Sequence, residues 1–581
     1  MTARAALLAS AAVAGAAAWV VTASAGMLAA SGLWNHPHFA NGPAWTWAWL
    51  SYAADPAARA AAGPALAWGA AGGALAVGAV AARLWYAWGR QAKPLHGKSA
   101  YATEREAERR GITYAARPRG DSILIGQTKG MLGLYRRYIC LPGTDHVALY
   151  ARTGAGKGAS FVVPSCFFWD GSLVAFDIKG ELYRYTAGHR AAMGQDVFFF
   201  APTAPDGRSH RYNPFSVVPR GEAGCIDAIH RIMHILIPPN ARAENPFWTN
   251  SARALASGGA IMLACTPGER LNPAAVLRMF TRPDHNAFIR GLVAQARADG
   301  RPLPQVAVDV VLSWANNEDP KTREGILEEL KSHFALYASP QIAAATEDSN
   351  FDLRDLRRRG MSIYIGATPD ELRRLRPLMT VLFQQLVSLN TQAEFKPEHG
   401  HTHRVLMMLD EFWAPGRMDM LADAAAFVRS YGIRMAYVVQ TKAQLVSIYG
   451  AEGSENLFQN TGAEIVFGAS DMKLCREISE RAGNNTVMET STSRPRFMGW
   501  LFPGRQSESE TARRRALLLP QEVQRMPEDE QLIFRPGMQP LRTQRVRWYT
   551  DRTFKPLEVQ APEVPRLAVH VAPDDGTAQV A

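Results

Sequence analysis

The chain has 581 residues, 47% of them hydrophobic and 20% charged, and a formal net charge of +11. That length and composition exclude a disulfide-stapled miniprotein or a low-complexity chain, and lead us to expect several domains around a large core. The basic balance fits polyanionic partners such as nucleic acid or anionic lipid, although membrane proteins with cytoplasmic arginines share it. Cys140, Cys166, Cys225, Cys265 and Cys475 are odd in number and lack CxxC spacing. They read as reduced core thiols of a cytosolic compartment, not as disulfides or a metal site.

In chain order the first feature is a charge-free stretch: no Asp, Glu, Lys or Arg occurs between Ala5 and Ala54. Residues 5–30 and 61–88 are long enough to cross a bilayer as helices. Trp45, Trp47, Trp49 and Tyr52 lie between them and suit an interfacial aromatic belt. Arg4 precedes the first stretch, and Arg83, Arg90, Lys93 and Lys98 mark the end of the second. Positive-inside reasoning then makes residues 1–94 a two-helix anchor with both termini cytoplasmic. A cleaved signal peptide is the rival reading of the first stretch, given the small residues near Ala23 and Ala25.

Soluble composition begins near Leu95. The apolar run from His146 to Tyr150 leads into Ala151-Arg-Thr-Gly-Ala-Gly-Lys157-Gly-Ala-Ser160. A strand, a small-residue loop with a lysine and then a helix is the plan of a phosphate-binding loop. Side chains would obstruct a loop wrapped closely on a triphosphate, hence Gly154, Ala155, Gly156 and Gly158. Backbone N–H groups and the helix N-terminus face the anion, and Lys157 adds a point charge. Thr153 to Ala159 form the expected nucleotide-binding set. Two residues depart from the general pattern: Ala151 replaces its first glycine, and Gly158 replaces the hydroxyl residue that holds Mg²⁺. Thr153 and Ser160 are the candidate substitutes for that hydroxyl. His146 is read as structural or nucleotide-adjacent.

The runs Ser172–Phe176 and Val197–Ala201 read as buried parallel strands. Asp177, Lys179 and Glu181 follow the first of these and are candidate site support. The period becomes helical over 221–350, which is expected to be an all-α insertion. Strand signals resume at Met361–Gly366, Val405–Leu409, Met435–Val439, Ala463–Phe467 and Gln531–Phe534, separated mostly by helices. A doubly wound parallel α/β sheet in two sequence segments, 95–220 and 351–554, is the expected fold. Residues 555–581 are rich in Pro, Ala and Val and read as a flexible tail.

Asp410 and Glu411 stand at the carboxyl end of an apolar run. ATP hydrolysis needs two acids there: Asp410 for the Mg²⁺ shell, Glu411 to orient and deprotonate water. Helix capping is the plainer reading of such a pair. Gln440 ends another run, where a neutral amide can sense the γ-phosphate. Arg357–Arg359, Arg373, Arg374, Arg376 and Arg513–Arg515 could contact phosphates of single-stranded DNA, but no aromatics are interleaved for stacking and charge runs are more often solvated faces.

Taken together, the two N-terminal stretches, Thr153–Gly158, Asp177–Glu181, Asp410-Glu411 and Gln440 resemble the TraG-type coupling ATPases of type IV secretion and conjugation. Phe247-Trp248, Phe351–Leu356, Phe427–Ile433 and Leu517–Pro520 extend the likeness over most of the chain. In that family a glycine after the loop lysine is usual. The resemblance implies a RecA-like motor carrying an all-α insertion, using ATP and Mg²⁺. It further implies a homohexamer in the bacterial inner membrane that delivers relaxase–DNA or effector protein cargo to secretion channel components. An arginine finger supplied in trans is implied at Arg429, with Arg434 as the competing candidate. A DNA pump of the HerA/FtsK kind and a non-hydrolysing docking scaffold are the alternative readings.

Overall fold

The computed structural model describes residues 99–569, apart from 118–119, 131–134, 153, 240–244, 302, 413–415, 470 and 494–506, together with scattered positions between 17 and 79. Residues 96–581 form one compact unit and residues 1–95 another.

The larger unit is built on a twelve-stranded sheet in the order β1-β3-β2-β14-β13-β10-β4-β9-β8-β5-β7-β6. Its parallel part holds β4 (His146–Tyr150), β5 (Ser172–Phe176), β6 (Asp196–Phe200), β7 (Met361–Ile365), β8 (Val405–Leu409), β9 (Ile433–Val439) and β10 (Thr461–Val466). Most of these strands are buried at every position, the pattern of strands covered on both faces. Alternation sorts their side chains. Tyr150, Val174, Phe176, Met407 and Tyr437 face one core, while Leu149, Leu173, Ala175, Met408 and Val438 face the other. Each fully buried Leu, Val or Phe contributes about 1.5–3 kcal/mol relative to exposure. The sheet is thus fixed from both sides, and its strand ends are fixed with it.

The remaining strands form an antiparallel flank: β1 (Thr113–Ala115), β2 (Ser122–Gln127), β3 (Tyr138–Pro142), β13 (Glu530–Phe534) and β14 (Leu541–Gln544). Nothing in the strand runs foretold their direction; β13 was readable as a strand, and it pairs antiparallel to β10. A separate hairpin of β11 (Asn484–Ser493) and β12 (Ser507–Ala516) carries Arg513–Arg515.

Helices cover both faces. After a short α1 (Glu104–Arg109), α2 (Val163–Phe168) and α3 (Glu181–Ala192) pack on the Leu149 face. Between β6 and β7 the described residues hold helices and no strand: α4 (Cys225–Leu236), α5 (Phe247–Cys265), α6 (Pro273–Thr281), α7 (His285–Ala298), α8 (Gln305–Ala315), α9 (Pro320–Phe334) and α10 (Pro340–Ala345). They share the Tyr150-face core with α11 (Leu372–Asn390). All five cysteines are free thiols and four are buried.

Two expectations are corrected. The multi-pass inner-membrane placement is overturned, because among the described residues no helix is long and apolar enough to cross a membrane. Absence of charge is not sufficient for a span, which needs about 20 consecutive apolar helical residues. The described helical positions of residues 5–30 and 61–88 come only singly or in pairs, and the rest of both stretches lies outside the described residues. The Pro-rich tail is not free along its first part. Tyr183 donates to the Pro562 carbonyl at 2.6 Å, Arg208 to that of Val564 at 2.9 Å, and Leu567 N–H to Gly207 at 2.9 Å.

Candidate nucleotide-binding and hydrolysis site

Parallel register brings the strand ends to one edge. Tyr150 pairs with Val439, Tyr437 with Leu409, and Leu409 with Phe176. The chain therefore leaves the sheet at Ala151, Gln440, Asp410 and Asp177 along one line, the crevice where α/β sheets hold ligands.

Gly154 and Gly156 have φ of 77° and 75°, the left-handed region that favours glycine, and they turn the loop between β4 and Lys157. Lys157 is already helical (φ −52°, ψ −50°), so its side chain starts from the helix N-terminus. A π-turn, Gly158–Val162, follows, with Val163 N–H bonded to the Gly158 carbonyl. Thr153 lies outside the described residues; Ser160 is buried in the π-turn.

Lys157 Nζ stands 3.2 Å from Glu411 Oε1 and 3.3 Å from Asp410 Oδ1, and donates to the Asp410 carbonyl at 3.1 Å. The ion pairs are only partly buried, with side chains 19–26% exposed, so they are modest in energy and open to exchange. Burial raises the Asp410 carboxyl pKa; Lys157 opposes the rise and Glu411 adds to it. Among the described residues Asp410 Oδ1 accepts no hydrogen bond. Such an orphaned oxygen, in ionic contact with one ammonium, fits a divalent cation that takes oxygen ligands.

Asp177 is buried and accepts the Tyr183 N–H at 2.8 Å, capping α3. Burial pushes its carboxyl up to about 7, backbone donors oppose this, and the Asp410 charge adds to it. It is thus a buried carboxyl held on the first turn of α3 and within reach of the Asp410 charge. Lys179 is exposed, and its charge works with Lys157 against the rise at Asp410; Glu181 is exposed in the first turn of α3. Gln440 is half-buried at the end of β9, the strand between the loop strand and the acid strand.

Arg429 is not brought to this cluster. It sits in the turn Val428–Tyr431 ahead of β9, at the amino edge. The seven residues of β9 separate the two edges by about 20 Å. Arg429 Nη1 pairs with Asp145 at 3.2 Å and Nη2 donates to the Asn460 carbonyl. Asp145 also pairs with Arg535 at 3.0 Å. Arg434 is 1% exposed, with Nε donating to the Asp145 carbonyl at 2.8 Å and, among the described residues, no hydrogen-bond partner for Nη1 or Nη2. Burial pushes its guanidinium down to about 9. His146 begins β4 at the same edge, so its nucleotide-adjacent reading is corrected. Its Nδ1 accepts the Met435 N–H and its Nε2 contacts the Ala425 carbonyl, both at 3.0 Å. Burial lowers its pKa to about 3, leaving a neutral bridging imidazole.

The arginine clusters split. Arg357 is buried and donates to the Ala393 and Tyr431 carbonyls, and Arg359 pairs with Asp196 and Asp355. Arg374 pairs with Glu371. These contacts are structural. Asp145 carried no motif in the sequence; its only signal was an acid just ahead of the loop strand.

The model of the family described as "Type IV secretory system Conjugative DNA transfer" matches residues 101–567. Protein VirD4 of Rhizobium radiobacter is 29% identical over 489 residues, covering 84% of this chain and 68% of its own length. Conjugal transfer protein TraG of Escherichia coli is 27% identical over 463 residues, covering 74% and 71%. The chain thus spans about two thirds of these relatives. Among solved structures, the plasmid coupling protein TrwB in complex with ADP and Mg²⁺ matches with a TM-score of 0.53 at 15% identity, covering 82% of this chain and 96% of that one. At that identity the likeness shows the fold: a mixed α/β unit with a parallel-rich sheet.

Proposed function

The chain belongs to the type IV secretory conjugative DNA transfer family, and from that premise we propose that it is a coupling ATPase delivering macromolecular cargo to a type IV secretion channel. The observation that carries the reading is the Lys157 ammonium lying against Asp410 and Glu411 at one sheet edge. A lysine so held is poised to move onto the outer phosphates of a nucleotide, and its departure frees both carboxylates. The TrwB complex with ADP and Mg²⁺ supports nucleotide use on this fold.

In the proposed reaction the N–H groups of Gly154–Gly158 and Lys157 hold the β- and γ-phosphates. Asp410 would hold Mg²⁺, which when bound offsets charge on the transferring phosphoryl group. Glu411 takes a proton from water as its oxygen bonds to the γ-phosphorus, and the bond to the β,γ-bridging oxygen breaks, leaving ADP and phosphate. Gln440 hydrogen-bonds the γ-phosphate or that water and reports whether either is present. Asp177 keeps the first turn of α3 in place beside the acids. Arg429 is too far to serve its own site. It is therefore assigned to the site of a neighbouring protomer in a homohexamer.

Cargo is a relaxase–DNA complex or an effector protein, and the helical residues 221–350 are assigned to reading it. Residues 95–220 and 351–554 are assigned to the RecA-like motor. The test is ATP turnover and cargo transfer by the full chain and by Glu411→Gln. Retained nucleotide binding with turnover and transfer both lost is expected. Transfer undiminished in E411Q would replace the motor with a docking scaffold.

A further inference from the structure

The segment leaving β14 returns beneath the phosphate loop. Arg545 is 5% exposed, and among the described residues its guanidinium makes three hydrogen bonds, all to backbone carbonyls: Nε to Glu530 at 2.8 Å, Nη2 to Phe467 at 2.6 Å and Nη1 to Ala155 at 3.0 Å. Its plane lies over the Phe467 ring at 4.1 Å. Glu528 and Asp529 act on it only by charge at a distance, and Arg547 and Arg152 oppose them. Its position is fixed from behind, since Gln127 donates to the Arg545 carbonyl at 2.7 Å and Arg545 N–H to the Asp529 carbonyl at 2.7 Å.

Three residues further on, Trp548 N–H donates to the Ala159 carbonyl at 3.2 Å. That carbonyl is available for a reason written in the sequence. In the π-turn each carbonyl bonds five residues ahead, as Gly158 does to Val163. The fifth residue after Ala159 is Pro164, which has no N–H. Trp548 supplies the missing donor, and its ring packs against Phe167 and Tyr185. Residues 545–548 are thus a strap bonded to both ends of the loop.

We propose that Arg545 is a positioning residue for the nucleotide phosphates: by holding the Ala155 carbonyl it turns the Gly156 N–H into the cradle, and its charge, paired with no carboxylate among the described residues, adds to the field on the anion. The peptide between Ala155 and Gly156 is planar and trans, so its C=O and N–H point in opposite directions. Whatever fixes the carbonyl toward Arg545 fixes the N–H away from it. A glycine-rich loop has little else to choose the orientation, because Gly154 and Gly156 place few restraints on the flanking peptides. The planar guanidinium can serve three carbonyls at once, and an ammonium cannot. The role rests on the nucleotide-binding reading above.

The test is ADP binding by the full chain, by Arg545→Met and Arg545→Lys, and by K157A as the loop control, each at a temperature where nucleotide-free melting shows the chain folded. R545M keeps the apolar stem over Phe467 and removes the donors and the charge. It should bind ADP about tenfold or more weakly while still melting cooperatively, and R545K, which restores charge without the fork, should fall between it and the wild type. Wild-type affinity in folded R545M would overturn the proposal. If R545M does not fold, R545K decides: weakened affinity supports the role and unchanged affinity overturns it. Failure of both variants to fold would make Arg545 a folding residue only, which also overturns it. A wild-type chain that does not bind ADP would remove the nucleotide reading itself, a failure distinct from equal binding by wild type and R545M.

Discussion

At the carboxyl edge of the parallel sheet, Lys157 sits between Asp410 and Glu411 in pairs that are partly open to solvent. At the amino edge Asp145 is shared by Arg429 and Arg535, with Arg434 sealed behind it and His146 bridging two backbone groups. Both edges concentrate charge at strand ends, and they use it differently. The first holds its lysine between two acids in contacts that a phosphate can replace. The second shares one carboxylate, itself 29% exposed, between Arg429 and Arg535, and each of these arginines also donates to a backbone carbonyl. Arg429 is the most exposed of the three arginines there, its side chain 32% exposed, and its pairing is the kind that a stronger anion can outcompete.

The largest expected effect comes from breaking the open edge. Lys157→Ala should lower ATP turnover by about a hundredfold or more and weaken nucleotide binding, because it removes the cation that follows the phosphates. Binding isotherms and phosphate release on the same preparation check this.

Arg429→Ala should reduce turnover by a comparable factor, of about a hundredfold or more, and leave nucleotide affinity nearly unchanged, since the residue lies at the far edge of its own subunit. Arg434→Met sharpens the contrast between the two arginines. An almost fully buried guanidinium, two of whose nitrogens have no hydrogen-bond partner among the described residues, is replaced by an apolar chain of similar length, so a melting temperature within a few degrees of wild type and undiminished turnover are expected. Lost turnover in R434M with R429A active would exchange their roles.

A smaller effect separates the edges by pH. The raised Asp177 pKa means that its stabilising, protonated form is complete below the unfolded value of 3.8 and is lost as pH rises through about 7. His146 behaves oppositely: its lowered pKa gives stability present above 6.5 and lost as pH falls toward 3. Thermal melts of Asp177→Asn should lie closest to wild type at low pH and above it at neutral pH. His146→Gln, which can keep an acceptor toward Met435 and a donor toward Ala425, should gain on wild type as the buffer is acidified below 6.5.

Much of the open edge was legible in the sequence, because each piece is local. A five-residue apolar run ending in Asp410-Glu411, or one ending in a glycine loop and Lys157, carries both the strand and its exit. The contents of the other edge were less so. Asp145, Arg429 and Arg535 meet only because β4, β9 and β13 are neighbours or near neighbours in the sheet, and no spacing in the chain says so. The antiparallel flank was equally hidden, since a run such as Gln531–Phe534 fixes a strand but not its direction. Arg545 lies 390 residues from the carbonyl it holds, without a motif around it. The polar β11–β12 hairpin has no apolar period to announce it. Conversely, the charge-free start of the chain suggested membrane spans that no described helix supports.

Mixed assembly tests the division of labour between the two edges most directly. K157A and R429A chains are each measured alone for ATP turnover and then together after co-assembly. Neither should turn over ATP alone, and the mixture should recover a measurable part, because an intact Lys157 site on one protomer meets an intact Arg429 from its neighbour. No recovery in a mixture shown to co-assemble, or full turnover by R429A alone, would contradict the assignment of the amino edge to a neighbour's site.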